Sequence, residues 1–132
     1  MRALVTGDRN WSDRYLVSAV LYGFKEISNN VWGETLTVIE GGARGADEAA
    51  RDWVTSRKLD GDSVKLITVE AEWDKHGKAA GPIRNMKMLD EYDPSVVLAF
   101  HNDLERSKGT RHCVSEAKKR GVLVYHLTSS AP

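Results

Sequence analysis

The sequence predicts an α/β fold: a parallel sheet of about five strands with helices on both faces. Three observations carry this. Short apolar, β-branched runs alternate with segments of helical period along the whole chain. Two glycine turns, Gly41 to Gly45 and Gly109-Thr110, each open onto a helical pattern. No long linker, sustained repeat or low-complexity segment interrupts the alternation, so residues 1–132 read as one domain. Crossovers between parallel strands are right-handed, which fixes most of the topology.

Taken in order, Arg2 to Gly7 reads as a buried strand running straight into a turn. Ser12 and Asp13 are the N-cap candidates for the next helix, with Leu16, Ala19, Val20, Phe24 and Ile27 on its inward face. Asn29-Asn30 and Gly33 end that helix, and Leu36 to Ile39 form the second strand. The glycine turn leads into a helix from Ala46 to about Arg57, and Lys65 to Val69 form the third strand. Glu70 to Gly81 shows no sustained period and reads as a functional loop. Pro82 suits the first position of a helix with Ile83, Met86 and Leu89 inward, closed by Asp93-Pro94. Val96 to Phe100 is uniformly apolar, as expected of a strand covered on both faces. After the loop His101 to Lys108, a helix with Val114 and Ala117 inward runs to Gly121. The last strand is Val122 to Leu127, and the final five residues read as frayed.

Composition narrows the function. Nineteen basic and nineteen acidic residues cancel, which counts against a protein that holds nucleic acid by coating phosphates. No apolar run approaches a membrane span, and Met1 leads directly into a strand with no signal peptide, so no membrane role is expected. The single cysteine, Cys113, forms no intramolecular disulfide, and a cytoplasmic location is expected. The four histidines are scattered without ligand spacing, so no metal is expected. A homo-oligomer is left open.

A site is expected at the carboxyl ends of the strands, where strand order reverses. The loops there are Gly7 to Asp13, Gly41 to Asp47, Glu70 to Arg84 and His101 to Thr110, and they hold the glycines, odd aromatics and arginines. Gly41, Gly42, Ala43 and Gly45 let the backbone approach an anion while the following helix aims unpaired N–H groups at it. The spacing is neither the Walker pattern nor Gly-x-Gly-x-x-Gly, which argues against a nucleotide triphosphatase or a dinucleotide dehydrogenase. Arg44 supplies planar donors for phosphate. Asp47 either contacts ribose hydroxyls or complements its helix dipole. Lys108, Gly109 and Thr110 form the second turn, where Thr110 either donates to phosphate or caps the helix. Trp11 and Trp73 are candidates to stack on a base, whereas Trp32 and Trp53 read as packing residues. Asp8 and Arg9 either pair on the rim or touch ligand. Arg84 and Asn85 are expected to contact phosphate or base from the second side. Cys113 reads as a buried small hydrophobe.

These residues carry a resemblance. Val5-Thr6-Gly7-Asp8-Arg9, Gly41 to Asp47, Trp73-Asp74, Gly81-Pro82-Ile83-Arg84-Asn85 and Lys108-Gly109-Thr110 look like the SLOG superfamily. Within it the chain most resembles the small YspA-like (cpYpsA-related) group of bacteria and their phages, from Arg2 to Val124. The resemblance implies a single Rossmann-like domain that binds a nucleotide or an ADP-ribose- or NAD-derived molecule as sensor, carrier or sequestering protein. No further cofactor is implied. More distant relatives supply alternatives. The Lonely-Guy phosphoribohydrolases cleave N-glycosidic bonds; their arginine matches Arg84, but their glutamate falls on Cys113. Glu116, one helical turn later, is then the weak catalytic candidate beside Arg84. The DNA-processing protein A family shares the Ala43-Arg44-Gly45-x-Asp47 pattern and binds single-stranded DNA, a carry-over that the zero net charge opposes.

Overall fold

The computed structural model describes residues 1–130. Strands β1 Arg2–Gly7, β2 Leu36–Glu40, β3 Val64–Thr68, β4 Val96–Phe100 and β5 Leu123–Leu127 form one parallel sheet in the order β3-β2-β1-β4-β5. The helices are α1 Arg14–Asn30, α2 Ala46–Leu59, α3 Trp73–His76, α4 Ala80–Tyr92 and α5 Gly109–Lys119. This is the Rossmann-like α/β architecture that the alternation predicts.

Side-chain alternation on β1 divides the core. Ala3 and Val5 point toward α1 and α2, joining Val17, Leu21, Ala50 and Val54. Leu4 points to the opposite face, with Ile39, Met88, Leu89, Cys113 and Ala117 beneath α4 and α5. β4 is buried along its whole length, in accord with its unbroken apolar run. Strand order reverses between β1 and β4, whose register pairs Gly7 with Phe100. The loops leaving their carboxyl ends splay apart there and open a crevice. A Cβ on Gly7 would lie 2.7 Å from the Ala46 Cβ and closer still to the Phe100 carbonyl, so glycine lets α2 begin against β1.

Several local expectations are decided or corrected. Asp13 is the N-cap of α1, accepting from the Leu16 amide at 3.1 Å. The buried stripe of that helix is Val17, Leu21, Lys25 and Ser28, while Ala19 and Ile27 are exposed. Glu70 to Gly81 is not structureless, because α3 and a 3-10 turn at Gly77–Ala79 occupy it. α4 starts at Ala80, so Pro82 sits inside its first turn, where a missing N–H costs nothing. Its inward residues are Asn85, Met88 and Leu89; Ile83 and Met86 face outward. Trp32 is 62% exposed rather than packed. The tail is tied down at Ser129, whose amide donates to Asn102 Oδ1 at 2.8 Å and whose hydroxyl bonds Asp13. The expectation for Ala131 and Pro132 lies outside the described residues. Among those residues, no helix is long and apolar enough to cross a membrane.

Candidate functional site

Two adjoining cavities open at the carboxyl end of the sheet. The first, of about 510 Å³, lies over β2 and β3 and is lined by the glycine turn with Arg44, Glu70, Ala71 and Trp73. The second, of about 410 Å³, lies at the β1/β4 reversal between Gly7, Asp8 and Asn10 on one side and Ser107 to Thr110 on the other. Arg9, Ala43 and Arg84 line both. Of the residues singled out from sequence, Gly7, Asp8, Arg9, Gly41, Gly42, Ala43, Arg44, Asp47, Trp73, Arg84, Asn85, Lys108, Gly109 and Thr110 come together here.

Trp11 and Gly45 do not line either cavity. Trp11 is buried edge-on against Phe100, with ring centroids 5.7 Å apart, and its Nε1 donates to the Asp13 carbonyl at 2.9 Å. Its ring is core, and the aromatic face left for a base is that of half-exposed Trp73. Gly45 shapes the turn from behind. Its φ is 73°, and a Cβ there would stand 2.6 Å from the Arg9 carbonyl oxygen and nearer to that of Asp8. Asp8 is the reason: its carbonyl accepts the Ala46 amide at 3.2 Å and the Trp11 amide at 3.1 Å, pinning the first loop to the start of α2.

The glycine turn is not an empty cradle. Asp47 Oδ2 accepts the Gly41 amide at 2.9 Å and the Ala43 amide at 3.4 Å. Glu40 Oε1 accepts the Gly42 amide at 2.7 Å and Arg51 Nη1 at 2.6 Å, while its Oε2 takes the Thr68 hydroxyl. Asp47 thus holds its own loop, a role beyond the two that the sequence suggested. Burial above all, and the nearby Glu40 charge, push its carboxyl up to about 6 against the loop amides and Arg84. At α5 the amides of Thr110 and Arg111 bond Ser107 Oγ at 3.0 and 3.4 Å. Ser107, not Thr110, therefore caps that helix. Thr110 is buried and turned to the second cavity.

The cationic groups around the cavities are side chains. Arg9, Arg44 and Lys108 line the cavities without a side-chain hydrogen bond or ion pair among the described residues. Arg9 does not pair with Asp8, whose Oδ1 accepts the Asn10 amide at 2.9 Å. Cys113 is fully buried, and burial pushes its thiol up to about 12, so it stays neutral. Glu116 lies on a separate hollow with Arg111 and Lys119, where the Lys119 and Arg120 side chains hold its carboxyl below the usual range. Among the described residues, no group of three His, Cys, Asp or Glu side chains is arranged to hold a metal.

Glu40, Arg51, Glu70 and Ser107 were missed. Glu40 had one visible signal, an acidic residue ending an apolar strand, and Glu70 and Ser107 lie in two of the loops expected to form the site without standing out there; Arg51 lies on α2, in a helical pattern that points to no site.

Fold and cleft together define a Rossmann-like protein with a cationic crevice at its topological switch point. The profile of the YspA, cpYpsA-related SLOG family matches residues 1–76, and the chain belongs to that family. Membership suggests nucleotide-related binding. The matched span includes the first glycine turn and Trp73 but stops before Arg84, Asn85 and the second turn. The chain is also 42% identical to the Gene 61 protein of Mycobacterium phage D29 over 126 residues, covering 96% of this chain and 95% of that one.

Proposed function

We propose that this protein binds a nucleotide, or an ADP-ribose- or NAD-derived small molecule, as a sensor, carrier or sequestering protein. The observation that carries this reading is the pair of cavities meeting at Arg9, Ala43 and Arg84, with Arg9, Arg44 and Lys108 around them unpaired among the described residues. Phosphates sit where the arginines converge, since guanidinium groups offer paired donors to phosphate oxygens. A base lies in the first cavity against Trp73, with Glu70 accepting from its amino groups. Ribose hydroxyls meet Asp8, Asn10 and Thr110 in the second. The glycines give close approach rather than a full set of free amides. Calorimetric titration with a panel of nucleotides, ADP-ribose and NAD tests the reading. Arg44→Ala is expected to weaken the best ligand by about 1.5–3 kcal/mol, the scale of a charged hydrogen bond, with the melting temperature nearly unchanged. Undiminished affinity in that variant refutes the site.

One observation favours a second reading, hydrolysis of an N-glycosidic bond. Asp8 and Asp47 both line the second cavity, and a carboxyl near 6 suits general acid-base work. Against it, the matched motif position holds a neutral buried thiol, and Glu116 lies on another surface. Binding without cleavage is the better-supported function.

A further inference from the structure

Arg84 and Asn85 line the cavities, yet their hydrogen bonds are largely internal. Arg84 Nη1 donates to the Gly41 carbonyl at 2.5 Å, and its Nε donates to Asn85 Oδ1 at 3.0 Å. Asn85 Nδ2 in turn lies 3.2 Å from the Gly109 carbonyl and 3.2 Å from His112 Nδ1. Because Arg84 Nε only donates, the Asn85 atom facing it is the carbonyl oxygen, which turns its amide nitrogen toward Gly109 and His112. His112 Nδ1 is therefore the unprotonated acceptor. Asn85 is 2% exposed, and both its ends are engaged. A chain of hydrogen bonds thus runs from the first glycine turn, through α4, to the start of α5.

We propose that Asn85 is a positioning residue: with Arg84 it forms a strut that fixes the two glycine turns relative to each other. The consequence for ligand rests on the binding reading above; the strut itself does not. Held at Nε and Nη1, the Arg84 guanidinium is already fixed in the wall shared by both cavities before any ligand arrives. Little further freedom is lost on binding. A ligand that engages one turn also finds the other already placed.

The strut is tested without ligand by amide hydrogen exchange in the intact protein. Asn85→Ala is expected to speed exchange about tenfold at both Gly41–Ala43 and Thr110–Arg111, the scale of one lost buried hydrogen bond at each. Asn85→Asp keeps the acceptor for Arg84 and loses the donors to Gly109 and His112. His112 can turn Nδ1–H toward the new carboxylate, so the α5 start should loosen through the lost Gly109 bond while the first turn stays protected. His112→Ala should speed exchange at the α5 start, and His112→Asn, which returns an acceptor near the Nδ1 position, should restore it. The Arg84 Nε–H resonance should stay slow to exchange in the Asp variant and average out in the Ala variant. A merely structural asparagine would not give this split. If Asn85→Ala does not fold, the Asp and His112 variants decide. Loosening of one turn only in Asn85→Ala, or unchanged exchange at α5 in both Asn85→Asp and His112→Ala, overturns the strut. ADP-ribose serves as the binding probe, with about tenfold weaker binding expected in Asn85→Ala. Failure of ADP-ribose to bind the wild type speaks against the ligand reading, and the exchange pattern still decides the strut.

Discussion

Asp47→Asn keeps one oxygen to accept the amides of Gly41 and Ala43 and removes a proton site from the buried loop. In the folded chain the Asp47 carboxyl sits at about 6, against 3.8 when unperturbed. Between those values the folded state holds a proton that the unfolded state has released. Stability from this group is therefore fully present below the unfolded value and is lost as pH rises through the folded one. At about 1.4 kcal/mol per pH unit the gap corresponds to about 3 kcal/mol. Urea unfolding of wild type and variant at roughly pH 4, 5, 6 and 7 isolates the effect, because titrations common to both cancel in the difference. The stability of wild type relative to variant should fall by about 2 kcal/mol across that range, the part of the gap that lies above roughly pH 4. A difference that stays within about 1 kcal/mol, or that rises with pH, refutes the argument that burial of Asp47 opposes its charge.

Two further outcomes are expected. Gly45→Ala places a Cβ against the carbonyls of Asp8 and Arg9 at a φ of 73°, and it should cost about 3 kcal/mol or more in thermal or urea unfolding. Gly23→Ala, in α1 with nothing within 4 Å of the new Cβ, is the control and should be neutral or stabilising by about 0.5–1 kcal/mol. Incubation with nucleoside monophosphates should release little free base, well below about one turnover per second, and Glu116→Gln should not change it. Release at ordinary enzyme rates would return weight to hydrolysis, with Asp8→Asn and Asp47→Asn as the variants to examine.

Much of this fold is legible because its signals are local. β4 announces itself through five adjacent apolar residues, and the glycine turns through residues that tolerate a left-handed backbone or a close neighbour. What the sequence conceals is polar burial. On α1 the inward stripe includes Lys25, paired with Glu26 and Asp62, and Ser28, which donates to the Glu34 carbonyl at 3.0 Å. An apolar period rejects both positions, so it selects a stripe rotated toward Ala19 and Ile27. The same happens on α4, where Asn85 is inward because its partners are Gly109 and His112 on another helix. The site follows that rule. Residue types and loops mark where Arg44, Asp47 and Trp73 gather. That Asp47 bonds its own loop and Trp11 packs on Phe100 depends on distances that no spacing records.

Under the binding function proposed above, the internally bonded glycine turn bears on how fast ligand exchanges. A loop whose amides wait for an anion needs that anion to become ordered, so each arrival and departure carries a folding step. Here Asp47 and Glu40 supply acceptors for the turn's amides from within the chain, so its shape does not depend on an outside anion. Entry and exit then require no backbone rearrangement at this turn. A ligand bound as proposed would then exchange on the timescale of diffusion and dissociation alone.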